Sequence, residues 1–267
     1  MLRDAFFKGV RDLRRSFLYW AVGIAFMVIL FCLFYPTVRD SAASVQKLID
    51  SLPAAFKNVF IGQGVSFTSP KGYIDGRILS FMSPLLFLVF AVGLGARQIA
   101  GEEEAGTLSL LLSYPVSRRR LLAQKAAVLV VAIAALTVAH FGALVIGVTL
   151  EHMNPGYGAL LGANVDLFLL ALSLGTLSLT VGAATGRHGA AVGVSTIVAA
   201  AAYLVNALAP LSHTLKPLQK LSLFYYYGGA QPLSIGVRPV YAGLLLAVTA
   251  VLAAVAFLAF ERRDVRV

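Results

Sequence analysis

The chain has 267 residues, of which 59% are hydrophobic and 13% charged, and it carries a formal net charge of +10 at neutral pH. Soluble domains carry roughly 25% charged residues to face water, so a soluble globular fold is excluded, and the lack of a strict short repeat excludes a fibrous one. A lone cysteine, Cys32, excludes an internal disulfide. In a membrane chain the surplus of Lys and Arg sorts to the cytoplasmic face, where its partner is anionic membrane lipid and not nucleic acid.

Taken in order, residues 1–16 set Leu2, Phe6, Phe7, Val10 and Leu13 at helical intervals among Arg3, Lys8, Arg11, Arg14 and Arg15. This pattern predicts an amphipathic helix lying in the inner headgroup region. Residues 17–267 form one all-α, six-span transmembrane domain, with apolar stretches at about 17–35, 78–96, 126–150, 166–185, 190–208 and 240–260. The first stretch is long and ends in Phe34-Tyr35-Pro36 without a small-residue cleavage pattern, so it stays as a span and is no signal peptide. All six are too long and too uniformly apolar for barrel strands. With both termini inside, 14 of the 22 Lys and Arg fall on the cytoplasmic side and 8 outside, which fixes the expected orientation in the cell membrane.

The connections add detail. Val45, Leu48, Ile49, Leu52 and Phe56 have helical spacing interrupted by Pro53. Gly186-Arg187-His188-Gly189 reads as a tight turn between spans 4 and 5. Phe224, Tyr225, Tyr226 and Tyr227 read as an interfacial aromatic anchor, with a substrate platform as the alternative. Ser178, Gly182 and Gly186, then Gly189 and Gly193, make small faces that suit close helix packing, either within the chain or in a dimer. The short turn favours packing of span 4 on span 5.

The inner connection between spans 2 and 3 carries the most information. Glu102, Glu103 and Glu104 suggest the start of a short helix, because carboxylates stabilise a helix N-terminus. Thr107, Leu108, Leu111 and Leu112 give that helix an apolar stripe, Pro115 ends it, and Ser117 caps the next one. Arg118, Arg119 and Arg120 then occupy the first turn of span 3, where the macrodipole disfavours cations. That local penalty calls for an outside partner, either lipid headgroups or an acidic protein surface.

The run Glu-Glu-Glu-Ala-Gly-Thr-Leu-Ser-Leu-Leu-Leu-Ser-Tyr-Pro-Val-Ser-Arg at 102–118 resembles the loop of type-2 ATP-binding-cassette (ABC) export permeases. The basic N-terminal helix, the six spans and the ending Phe260-Glu-Arg-Arg-Asp-Val265 are similar to that family as well. The resemblance implies that the loop is a coupling helix docking on a separate ATPase subunit, with Glu102, Glu103, Glu104, Gly106, Thr107, Leu108 and Leu111 as its contacts. It further implies two ATPase subunits, which hold ATP and Mg, and a second permease, either another copy or a related chain. This chain itself would hold no cofactor.

Other chemistries lack their residues. Gly101 and Gly106 have P-loop spacing, but Thr107 stands where a lysine must hold phosphate and three glutamates lie between. Neither His-Glu-x-x-His nor Gly-x-Ser-x-Gly occurs, and the four histidines lie in separate segments without metal-ligand spacing. The chain is therefore not expected to be an enzyme. An ion-coupled secondary transporter is the alternative function, although no carboxylate is expected deep in the spans, Asp166 and Glu151 being placed near solvent. His140 and Asn206 are the intramembrane polar candidates, His140 as an interhelical hydrogen bond or a substrate contact.

Overall fold

The computed structural model describes residues 5–60, 69–112, 116–229 and 231–263, the side chains of 42–43 and 110–112 excepted. Among these residues the chain is helical with no strand, and six helices are long and apolar enough to cross a membrane. Span 1 is Ala5–Leu33, followed after a turn by Tyr35–Asp40. Span 2 runs over Pro70–Glu104, span 3 over Arg118–Leu150 and span 4 over Tyr157–Thr185. Span 5 is His188–Leu208 and span 6 is Pro239–Arg262. The apolar stretches read from the sequence fall on these helices: spans 5 and 6 match to within two residues, spans 3 and 4 begin eight and nine residues earlier, span 2 is eight residues longer at each end, and span 1 begins twelve residues earlier.

Two boundaries differ from the local reading. Residues 5–33 are one uninterrupted helix, so nothing separates the basic stretch from the first span. Glu102–Glu104 belong to the last turn of span 2 and do not open a new helix. A turn at Ala105 and Gly106 (φ +69°) then leads into the short helix Thr107–Leu112. Pro53 acts as expected, dividing the first long connection into Ala42–Ser51 and Ala54–Phe60.

Span 4 is the hub. Of its most apolar stretch 78% is buried, against 61% for span 2 and 17% each for spans 1, 5 and 6. Spans 2, 3, 5 and 6 all pack on it, and span 1 leans on span 3. Close packing rests on small residues: a side chain on Gly175 would begin 3.2 Å from the Ala91 carbonyl oxygen of span 2. The Ser178 hydroxyl beside it donates to the Val92 carbonyl at 2.8 Å. The small face of span 4 thus serves span 2 first. Gly182 also meets Ala191 of span 5, whereas Gly189 and Gly193 face open space.

Span 2 carries two π-helical stretches, Asp75–Met82 and Arg97–Gly101. Pro84 explains the first, since it donates no backbone hydrogen bond and its ring crowds the preceding turn. Here the Ser80 hydroxyl bonds the Asp75 carbonyl. One turn on, Ser83 reaches the His140 ring of span 3.

The bundle has one end that holds Ala5, Arg263 and the 102–112 connection, and an opposite, far end. At the far end two expectations are overturned. Asp166 is not solvated: it is 3% exposed, and its Oδ1 has no hydrogen-bond partner. Asp75 is fully buried and accepts from Leu233 N (2.8 Å), Ser234 N (3.2 Å) and Ser234 Oγ (2.8 Å). Carboxylates are therefore present deep in the fold, in contrast to the sequence reading. The aromatic run also splits. Tyr227 and Phe224 are core residues, with Tyr227 donating to the Leu79 carbonyl at 2.7 Å, and Tyr225 and Tyr226 stay partly open. Tyr227 and Phe224 tie the 209–238 connection to spans 2 and 5.

Candidate functional site

Five helix ends and one loop meet at the terminal end of the bundle. Three consecutive carboxylates at a helix C-terminus are disfavoured by the macrodipole, so span 2 needs positive charge there. Each glutamate finds it on a different element. Lys125 Nζ of span 3 donates to Glu102 Oε1 at 2.6 Å, and the Thr107 hydroxyl donates to Glu102 Oε2. Arg263, just past span 6, forks onto both oxygens of Glu103, with Nη1 3.0 Å from Oε1 and Nη2 on Oε2. Glu104 Oε1 accepts the His188 backbone N–H at 2.8 Å, placing a carboxylate on the N-terminus of span 5.

The Glu103–Arg263 pair is the most enclosed of these, its side chains 4% and 16% exposed. Water screens such a pair poorly, and a guanidinium–carboxylate fork fixes orientation as well as distance. Gly186, which ends span 4 with φ +68°, makes room for it. A Cβ there would strike Arg263 Nη1 and come within 2.6 Å of Glu103 Oε2. Gly186→Ala is therefore expected to lower stability by about 1–3 kcal/mol, from left-handed strain and from displacement of the pair. Thermal unfolding in detergent reads this loss, and an unchanged midpoint would refute it.

The same logic resolves the arginines that open span 3. Ser117 caps that helix as expected, accepting the Arg120 N–H at 3.3 Å. Arg118 Nη1 donates to the carbonyls of Arg263 (2.6 Å) and Phe260 (3.3 Å), capping the C-terminal end of span 6. Arg119 pairs with Glu261. Two of the three cations thus have partners within the chain, correcting the inference that all of them await an outside one. Their cost at a helix N-terminus is offset by carbonyls at a helix C-terminus.

The remaining expected contact residues divide. Gly106 is exposed at the tip of the turn beside Ala105, which was not among them, Thr107 is half-buried, and Leu108 is 1% exposed, facing into the bundle. The side chain of Leu111 lies outside the described residues. His140 and Asn206 are far from this junction and from each other's networks. His140 is fully buried, with Nε2 2.7 Å from Ser83 Oγ and Nδ1 2.7 Å from Asn164 Oδ1. Asn164 Nδ2 donates to the Leu160 carbonyl, which leaves its Oδ1 to accept; the imidazole proton therefore sits on Nδ1, and the ring joins spans 2, 3 and 4. Asn206 accepts from Gln219 at 3.3 Å beside a far-end cavity. Among the described residues no cluster of His, Cys, Asp and Glu could hold a metal ion.

Lys125, His188, Arg118 and Arg263 were not singled out as loop partners by sequence reasoning. The available signal was electrostatic: adjacent like charges at unfavourable helix ends must be compensated somewhere.

The model of the family described as ABC-2 family transporter protein matches residues 6–265. The chain belongs to the ABC-2 transporter family. No curated protein matches it. As an ABC-2 permease the chain is a multi-pass membrane subunit of an ABC transporter, a class that lacks an ATPase motif of its own and works with an ABC ATPase subunit. Between Gly101 and Gly106 the ABC-2 chain ends a helix, and the three glutamates between them are bound to Lys125, Arg263 and span 5.

Proposed function

We propose that this ABC-2 permease is the membrane half of an exporter and that its 102–112 connection receives the stroke of a separate ATPase subunit. The observation that carries the reading is the three-way attachment of Glu102, Glu103 and Glu104 to spans 3, 6 and 5. A loop bonded only to the spans it joins could move by itself. With the end of span 2 bonded to three other spans, a displacement of the adjoining loop must carry all four along, which is what transmission of force requires.

In this reading the terminal end faces the cytoplasm, in keeping with the basic residues of span 1, and the first turns of that helix lie among inner headgroups. Two ATPase subunits bind ATP and Mg, and two permeases, copies or related chains, form the pathway between them. Span 5 suits the permease contact, with Val194, Ile197 and Val198 exposed along the helix that bears the open Gly189 and Gly193. Glutamates so engaged act as anchors of the loop, and the exposed turn at Ala105 and Gly106 offers the contact surface.

Cys32 is fully buried, so a single introduced thiol can be labelled without background. Ala105→Cys carrying a benzophenone maleimide should cross-link to a P-loop ATPase subunit in native membranes, more strongly with ATP present. A label on Gly158→Cys, at the far end, should not. Equal capture from both positions, or none from Ala105→Cys, would sink the coupling assignment. The buried Asp166 gives ion coupling one observation in its favour. Transport in proteoliposomes driven by an ion gradient without ATP would establish that alternative instead.

A further inference from the structure

The far end of the bundle holds a cavity of about 330 Å³ between the helix Ala54–Phe60, the end of span 5 and the 209–238 connection. Its chemistry is unbalanced toward donors. Among the described residues no carboxylate lines it. Asp75, beneath the connection, spends its oxygens on Leu233 and Ser234 and is not part of the wall. Indeed residues 167–260 contain no Asp or Glu at all, while the 209–238 connection contributes Lys216, Lys220 and Arg238.

Two donors are left over in the wall. Asn58 Nδ2 is buried and has no hydrogen-bond partner. Arg238 Nη1 donates to the Tyr241 hydroxyl (3.3 Å), and that hydroxyl donates to the Tyr225 hydroxyl (3.2 Å). The relay therefore ends on Tyr225 with a proton to give. A buried donor without an acceptor costs about 1–3 kcal/mol, and the cavity beside this one has room for a group that accepts from it. Tyr203 and Phe224, stacked edge to face at 5.2 Å between ring centroids, supply an apolar side.

We propose that this cavity binds the phosphate group of an organic phosphate whose remainder lies against the aromatic side. Donors converge from separate elements, as suits an oxyanion with several acceptor oxygens, and the cationic connection favours the anion over a zwitterion. The source is either a membrane lipid headgroup, such as a glycerophosphate, or a free phosphate ester. The site does not depend on the ATPase reading.

The test uses the purified full chain in maltoside micelles, with thermal unfolding as readout. Short-chain dihexanoylphosphatidylglycerol and free glycerol 3-phosphate are the two probes, and dihexanoylphosphatidylcholine is the comparison. At least one anionic probe should raise the midpoint in a saturable way, and phosphatidylcholine should do so much less. Response to both anions shows that the headgroup suffices; response to the lipid alone assigns the site to membrane lipid. Asn58→Leu and Arg238→Gln should each raise the half-saturating concentration about ten-fold, the loss of one charge-assisted hydrogen bond. Asn58→Leu removes no charge and no existing bond, so it separates a site from a general effect of anionic detergent. No shift with either anion, or an equal shift in both variants, would overturn the proposal.

Discussion

Glu103→Arg should destabilise the permease by about 3–5 kcal/mol, because it faces Arg263 with a second cation where neither side chain reaches water freely. Arg263→Glu should cost a similar amount. The paired exchange, Glu103→Arg with Arg263→Glu, should recover most of that loss, since it restores an ion pair in the same enclosure, beside Gly186. Unfolding midpoints in detergent give the first readout. The second is the ATPase rate of the assembled complex relative to that of the isolated ATPase subunit. Each single reversal should bring that ratio close to one, and the exchange should lift it again. A double variant no better than either single one would show that the pair positions nothing. Glu103→Gln keeps the shape with less disruption and should fall between the parent and Glu103→Arg.

Asp75→Leu is the second large effect. It leaves the N–H groups of Leu233 and Ser234 and the Ser234 hydroxyl without their acceptor in a site the aspartate holds fully buried. Unmade buried hydrogen bonds cost about 1–3 kcal/mol apiece and do not add fully, so a loss of roughly 3–5 kcal/mol is expected. Asp75→Asn keeps one acceptor oxygen and should lose less. The 209–238 connection should also loosen from span 2, which limited proteolysis would register as new cleavage between Leu211 and Arg238. An unchanged midpoint together with an unchanged digest would contradict this account.

These effects mark the boundary of what was legible in the sequence. The spans were, because hydropathy over about 20 residues is a local property, and so were the breaks at Pro53 and the cap at Ser117. The family was legible in the 102–118 run and in the layout. The partners within the junction were not. Glu103 and Arg263 are 160 residues apart, and no periodicity relates them. The triple glutamate was placed at a helix start on macrodipole grounds, but the helix of span 2 runs through it because three separate positive groups compensate its end. Asp166 was placed in solvent from its position near the edge of an apolar stretch. Span 4 continues nine residues further toward Tyr157, and that extension buries it. Tertiary compensation overrides a local preference worth a few tenths of a kcal/mol.

The separation of Glu103 from Arg263 also has a consequence in time. Synthesis at about 5–20 residues per second puts roughly ten to thirty seconds between the emergence of the two. During that interval Glu102 can be met by Lys125 and Glu104 by the start of span 5, but the Arg263 fork on Glu103 is not yet made and the loop is not closed. The geometry at this end is completed only when the last helix has been inserted and its end has folded back. A soluble subunit that recognises the closed loop would therefore engage chains whose span 6 is in place and pass over those whose span 6 is not.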